Sequence, residues 1–276
     1  MARKSSRRSC RPACDPLESR ALLATFQVIN TRAVGAGSLS RAIELANNKP
    51  GTDTITFNIP GDGNHEIPMA GLLGVSVKSK VIIDGYTQPG SARNTSSDPA
   101  ANNAKVLVTI KNLASSGPAL AFWGKGASGS QMRGIRVVSL AHSQSGIEIR
   151  NADNVKIDGC AFSGEQNSRL TQAIIIRNGN RNTIGGNVAW TPALQNVMNT
   201  YNVGVDLIGN SQHNAIVSNL IGGEPGQSQD PLQKVGVLVQ RSARNNTITR
   251  NLLYKNITQL KIESTNTVDD NTFVDR

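Results

Sequence analysis

Aromatic residues are scarce in this chain of 276 residues: they make up 4%, and only two are tryptophan. A thick core filled by large rings is therefore excluded, leaving a thin interior of Ile, Val and Leu. Cysteine is equally sparse. Cys10 and Cys14 stand in a basic tail and Cys160 in an apolar repeat position. Three cysteines without matching partners build neither a disulfide framework nor a zinc site. Cys160 reads as a small buried hydrophobe. His65, His142 and His213 share no metal-ligand spacing, and no metal or cofactor is expected. No apolar run reaches the roughly 18 residues of a membrane-spanning helix.

Acidic residues are outnumbered, 19 against 29 Lys and Arg, giving a net charge of +10. Arg3, Lys4, Arg7, Arg8, Arg11 and Arg20 lie within the first twenty positions, against Asp15 and Glu18. The remainder is scattered, without interleaved aromatics or a one-sided patch, so nucleic acid is not expected as a partner. The N-terminal charge suits a signal peptide. Its apolar part, Ala21 to Ala24, falls short of the usual run of about 7 to 15 residues, so composition does not support an ordinary secretory signal.

What the chain has in abundance is repetition. Between Ser145 and Phe273 a short apolar strand, a polar break and Asn-x-Ile-x-x-Asn or a close variant recur. The anchor pairs are Asn182 and Asn187, Asn214 and Asn219, Asn246 and Asn251, and Asn266 and Asn271, with Asp153 and Asp158 as an acidic first copy. Aligning Met132, Val155, Ile184, Ile216, Ile248 and Val268 gives intervals of 23, 29, 32, 32 and 20 residues. Self-similarity at such periods denotes a stacked array. Ile147 and Ile149, Ile174 and Ile176, Val205 and Leu207, Val237 and Val239, and Leu260 and Ile262 point the same way by strand alternation. Stacked at about 4.8 Å, they form columns. Asn suits the corners because it tolerates the left-handed backbone region and its amide bonds neighbouring backbone or the Asn one coil away. Two Asn columns imply two sharp turns per coil. Strands this close in sequence leave no room for helical crossovers, and parallel connections run right-handed.

The expected fold is all-β: a right-handed parallel β-helix with a short N-terminal capping helix. That helix is LSRAIELANN, with Ser38 as N-cap, Pro50-Gly51 as its stop, and Leu39, Ala42, Ile43 and Ala46 on one face. It would cover the open apolar end of the stack. Residues 1–24 read as a basic tail or targeting segment and 25–276 as one β-helix domain, with its cap over 25–60 and its clearest coils over 130–276. No capping helix follows Phe273. An uncapped end predicts a further C-terminal part, a pairing partner, or end-to-end association.

GSLSRAIELANNKPGTDTITFNIPG followed by VIIDGYTQPG resembles the N-terminal region of bacterial surface and secreted β-helix proteins of the CSLREA-related type. Ser40 replaces the commoner Arg, and the Cys that names the motif is absent. LESRALLATF is similar to a short element near the start of many extracellular proteins of this architecture, and the later coils resemble the right-handed β-helix region of the pectin-lyase-like superfamily. The resemblance implies an extracellular or cell-surface location and leaves activity open.

Superfamily enzymes that cleave acidic polysaccharides use clustered outward carboxylates, with calcium or as acid and base. Here one outward row runs Glu148, Ile175, Asp206, Leu238, Lys261, and its neighbour Arg150, Arg177, Ile208, Gln240, Glu263. Aliphatic residues separate the acids, so no two carboxylates stack on adjacent coils. Asp84 and Asp158, each in Ile-Asp-Gly, read as turn caps, Asp269 and Asp270 as solvated corner residues, and His213 as a surface turn residue. Gly-x-Ser-x-Gly does not occur.

Three insertions carry the functional expectation: residues 163–171, 187–201 and 222–234, all taken to enter at one phase of consecutive coils. Loops at one phase share one side of a solenoid, where such folds bind. Trp190, Tyr201, Arg169 and Lys234 are the candidate ligand-binding residues, and the Trp packs a loop or stacks on a sugar ring. Glu165, Glu224 and Asp230 are the candidate catalytic carboxylates. Three readings follow: a surface scaffold that contacts a polysaccharide or another cell-surface component without catalysis; a polysaccharide lyase or glycosidase working from the loops; or, compatible with the first, an N-terminal fragment or degraded relative of a longer surface protein.

Overall fold

The computed structural model describes residues 23–69, 75–98, 100–139, 144–164, 172–185, 197–198, 203–222 and 233–274. The chain winds through three parallel sheets. The first has nine strands, from Thr25–Val28 to Thr267–Asp269. The second has seven, from Val75–Val77 to Thr258–Ile262, and the third eight, from His65–Met69 to Thr272–Val274. One coil shows the path: Gln144–Arg150 in the second sheet, Lys156–Asp158 in the first, Ala161–Gly164 in the third, then Gln172–Arg177 one level on in the second. This is the parallel β-helix expected from the repeat. The one antiparallel contact among the described residues is an isolated bridge, Ala92 to Lys105.

Stacking puts like over like. Ile147, Ile174, Val205 and Val237 are in register, as are Ile149, Ile176, Leu207 and Val239, and all eight are fully buried. Each such side chain is worth about 1.5–3 kcal/mol on burial. At the near end, helix α1 (Leu39–Asn47) lays Leu39, Ala42, Ile43 and Ala46 on the core. Its N-cap Ser38 accepts a hydrogen bond from Arg41 N–H. Asn47 ties the helix end to the second sheet's connection, donating to Ser76 O and accepting from Lys78 N–H. At the far end, Val268 and Phe273, in register with the fully buried Ile248 and Leu253, are 42% and 48% exposed.

Two asparagine columns line the corners. Asn182, Asn214, Asn246 and Asn266 turn the chain from the second sheet to the first; Asn219, Asn251 and Asn271 turn it from the first to the third. Except in Asn266 and Asn271, which end the columns, each amide Nδ2 donates to the next coil's Oδ1, which also accepts that residue's backbone N–H, as between Asn214 and Asn246 at 2.9 Å for both bonds. The amide's other hydrogen reaches a backbone carbonyl, Gly179 O for Asn214.

The left-handed backbone lies elsewhere than the composition suggests. Positive φ occurs one residue earlier, at Arg181, His213 and Asn245 before one column and at Ser218, Arg250 and Asp270 before the other. The column asparagines are there for their buried amides. The acidic first copy is corrected in the same way: with Asn154 (φ 56) and Gly159 (φ 58) at the turn positions, Val155 and Cys160 occupy the column positions, not Asp153 and Asp158. Ile157, not Val155, therefore stacks between Met132 and Ile184. The intervals become 25, 27, 32, 32 and 20.

The Asp84–Gln88 stretch is a clasp for the early coils. Gln88 accepts Ile59 N–H at its Oε1 and donates from Nε2 to Ile59 O, both at 2.9 Å. Thr87 accepts Phe57 N–H, and Tyr86 Oη donates to Gly159 O at 2.8 Å. The Tyr86 ring lies so close over Gly134 that a Cβ there would sit 2.6 Å from it. Asp84 caps Tyr86 N–H as expected and also pairs with Arg133 at 2.6 Å, which holds that guanidinium's pKa above its ordinary value. Asp158 is fully buried and caps no turn; it accepts Gln131 Nε2 at 2.7 Å and faces Lys156 and Arg93. Cys160 is the buried thiol expected, its pKa pushed far up by desolvation.

Removing one column amide strands several buried groups, each costing about 1–3 kcal/mol. Asn214→Ala is expected to lower unfolding stability by at least about 2 kcal/mol in urea titration, whereas exposed Asn210→Ala should stay within about 0.5 kcal/mol of wild type. In the clasp, Gln88→Ala should cost about 2 kcal/mol or more and Tyr86→Phe about 1 kcal/mol, read from the same titration.

Candidate functional site

The strands of the second sheet bury alternate residues and turn the others outward. One outward row runs Ala121, Glu148, Ile175, Asp206, Leu238, Lys261, and the next Trp123, Arg150, Arg177, Ile208. The aliphatic spacing of the acids is as the sequence indicates: Ile175 stands between Glu148 and Asp206. Among the described residues no three acidic, His or Cys side chains gather as a cation site.

The rows carry a built cluster. Glu148 has a side chain only 8% exposed and lies against two guanidinia. Arg177 Nε donates to its Oε1 at 2.8 Å. Arg150 Nε is 3.1 Å from the same oxygen without the alignment of a hydrogen bond, so that contact is Coulombic. On its other side the Arg150 guanidinium stacks over the Trp123 ring, 4.8 Å from the centroid. Trp123 is 38% exposed. A flat ring edge, two half-exposed guanidinia and a nearly buried carboxylate thus occupy three consecutive coils. Cation–π contact fixes the Arg150 plane, and the shared carboxylate fixes Arg177.

Asp206 sits one coil beyond Ile175 and is buried. Its partners are amides: Gln172 Nε2 donates to Oδ2 at 3.2 Å and Gln240 Nε2 to Oδ1 at 3.1 Å. Desolvation is the largest influence and raises its pKa above the ordinary Asp value; the two amides and Arg177 act the other way. Burial outweighs these partners and favours the neutral carboxyl.

The loop residues singled out in the sequence meet the structure differently. Glu165, Arg169, Trp190, Tyr201, Glu224 and Asp230 lie outside the described residues. Lys234 is described: it is exposed, and its carbonyl accepts Thr258 N–H at 2.7 Å just ahead of Val235–Val239. The common phase of the three insertions is corrected. Two connect the third sheet to the second, Gly164 to Gln172 and Gly222 to Val235. The middle one is split by Val197–Met198, a two-residue strand of the third sheet, so the connection containing Trp190 joins the first sheet to the third. A strand that short has no alternation to betray it. Asp269 and Asp270 are exposed corner residues as expected, Asp270 pairing with Arg250 at 2.9 Å, and His213 is an exposed turn residue with φ 56.

Trp123 is the residue the sequence reading passed over. Its signal was present: it ends the strand Gly117–Trp123 at the offset that Arg150 and Arg177 hold in the next two coils. The roles of Gln172 and Gln240 required the register.

No protein-family model matches the chain, and no curated protein does. Among solved structures, a protein of Geobacillus virus E2, ORF18, aligns over 91% of this chain and 59% of its own with TM-score 0.40 and 10% identity. The chain thus spans somewhat over half the length of that protein. An alginate lyase from Paenibacillus sp. str. FPU-7 aligns over 91% of this chain and 95% of its own with TM-score 0.32 and 13% identity. Neither likeness contributes to the reading of the site.

Proposed function

We propose that this chain is an extracellular or cell-surface β-helix scaffold that holds a polysaccharide against the outer face of its second sheet without cleaving it. One observation carries the reading: Trp123, Arg150 and Arg177 form an accessible row on successive coils, backed by the buried Glu148 that orients both guanidinia. A partly exposed aromatic ring with flanking donors suits a sugar ring, which offers apolar C–H groups on one side and hydroxyls around its rim. The row runs along the solenoid axis, so an extended chain of sugars meets one side chain per coil, about 4.8 Å apart.

Hydrolysis is the second reading, favoured by one observation. Asp206, with its raised pKa, and Glu148 are two coils apart in one row, about 9.6 Å by strand spacing. That is close to the separation of an acid and a base that accommodate a water between them. Binding without cleavage is preferred because Ile175 fills the intervening position and both carboxyls are nearly buried.

Affinity measurements against a panel of neutral, uronate and sulfated polysaccharides check the proposal. Wild type is expected to bind at least one class, with Trp123→Ala and Arg177→Gln each weakening it about tenfold, one stacking or charge-assisted contact apiece. Release of reducing ends or unsaturated products by wild type, abolished in Glu148→Gln, would overturn the scaffold reading in favour of catalysis.

A further inference from the structure

Resting on that assignment of the second-sheet face, we propose that its ligand is an anionic polysaccharide and that binding is regulated by a proton on Asp206, tightening as the carboxyl becomes neutral.

The charges on the face make the case. Arg150 and Arg177 contribute two positive charges, and Glu148, wedged between them, offsets one. Asp206 is the second acid of the same row. With Asp206 ionised the four groups sum to zero; with it protonated they sum to +1. Arg177 is the member most affected, because it lies between the two acids, hydrogen-bonded to Glu148 on one side and felt by Asp206 on the other. Among the described residues, the further charged groups of these two rows are four. Glu148 and Arg150 lie two coils away on one side, and Lys261 and Glu263, 3.2 Å from each other, two coils away on the other. Between them Val235–Val239 turns out Leu238, followed by Gln240, and adds no charge.

Two opposed influences act on Asp206. Gln172 and Gln240 present Nε2 donors that hold the ionised carboxyl, and burial opposes them, so the charge of the face is set by a balance that a proton can tip. Burial favours the neutral form, and loss of a negative charge beside two guanidinia favours an anionic ligand. Carboxylate and sulfate are two anionic groups that polysaccharides carry, and the guanidinium fork donates to either.

Titrating wild type at constant ionic strength with dextran sulfate, with a polyuronate, and with unsulfated dextran, from about pH 7.5 down toward the ordinary Asp value of about 3.9, tests this. Dextran sulfate stays ionised throughout, so a change in its affinity belongs to the protein. Expected is a gain of about fivefold on acidification, the worth of one unit charge near a solvated anion. Unsulfated dextran should show no such gain, and the polyuronate arm tells which anion is preferred. Asp206→Asn, which mimics the neutral carboxyl, should bind tightly at both ends of the range with a flat profile. Its stability gives a second readout. Because the folded-state pKa is raised, the stability tied to this proton is present at acid pH and lost as pH rises. Asp206→Asn should therefore exceed wild type in urea midpoint near neutrality and converge with it in acid. Equal pH slopes in wild type and Asp206→Asn would overturn the proton regulation while leaving the binding face intact. Tighter binding to unsulfated dextran than to either anionic chain would overturn the anionic ligand. Failure of wild type to bind any of the three at any pH would remove the binding face itself, and this inference with it.

Discussion

Hydrogen bonding from each coil to the next, by strand backbone and by the asparagine amides at two corners, is the condition under which every other feature of this protein exists. A single coil buries almost nothing of its own. Its strands are three to seven residues long over most of the solenoid, and the Ile and Val columns meet only because successive backbones lie one strand spacing apart. The amide columns then complete what the strands leave open. At these two corners, over the later coils, the ladder breaks for a residue or two, and an asparagine one level away takes the orphaned N–H. Stability is shared along the stack, as in other quasi-one-dimensional folds.

The same stacking determines where chemistry is placed. Side chains that point outward at one strand position fall on a line along the axis, so a functional surface here is a row read across several coils. On the second sheet that row joins Trp123, Arg150 and Arg177, which are 27 residues apart at each step. Glu148 lies beneath them and Asp206 two coils on, each held by partners from neighbouring coils. These charges are nearly buried although they face away from the core, and their electrostatics is correspondingly strong. The first sheet has its own outward ladder, Asp84, Arg133 and Asp158, but there the charges serve the clasp around Tyr86 and Gln88.

Much of this was legible before the structure. The capping helix, its N-cap, the core columns and the identity of both outward rows follow from alternation and spacing. Two things were misplaced, both for want of register. The asparagine pattern invited Asp153 and Asp158 into the columns by chemical likeness, whereas the backbone puts Val155 and Cys160 there. The insertions were treated as one series because Val197–Met198 is too short to show a period. Trp123 was left out of its row because the repeat becomes recognisable only from the following coil.

The sequence by itself determined the kind of object: a stacked array of short strands with aliphatic columns inside, asparagine at the corners and a helix over the first coil. It could do so because those features are local and periodic, and each copy confirms the others. Tertiary structure alone decided which side chains meet. Register between coils is set by the number of residues in each turn, and one or two residues there carry a neighbour to a different position. Hence the Trp123–Arg150 stack, the Arg177–Glu148 bond and the pair of glutamines that hold Asp206 all come from contacts 27 to 34 residues apart, visible only once the coils are laid on one another.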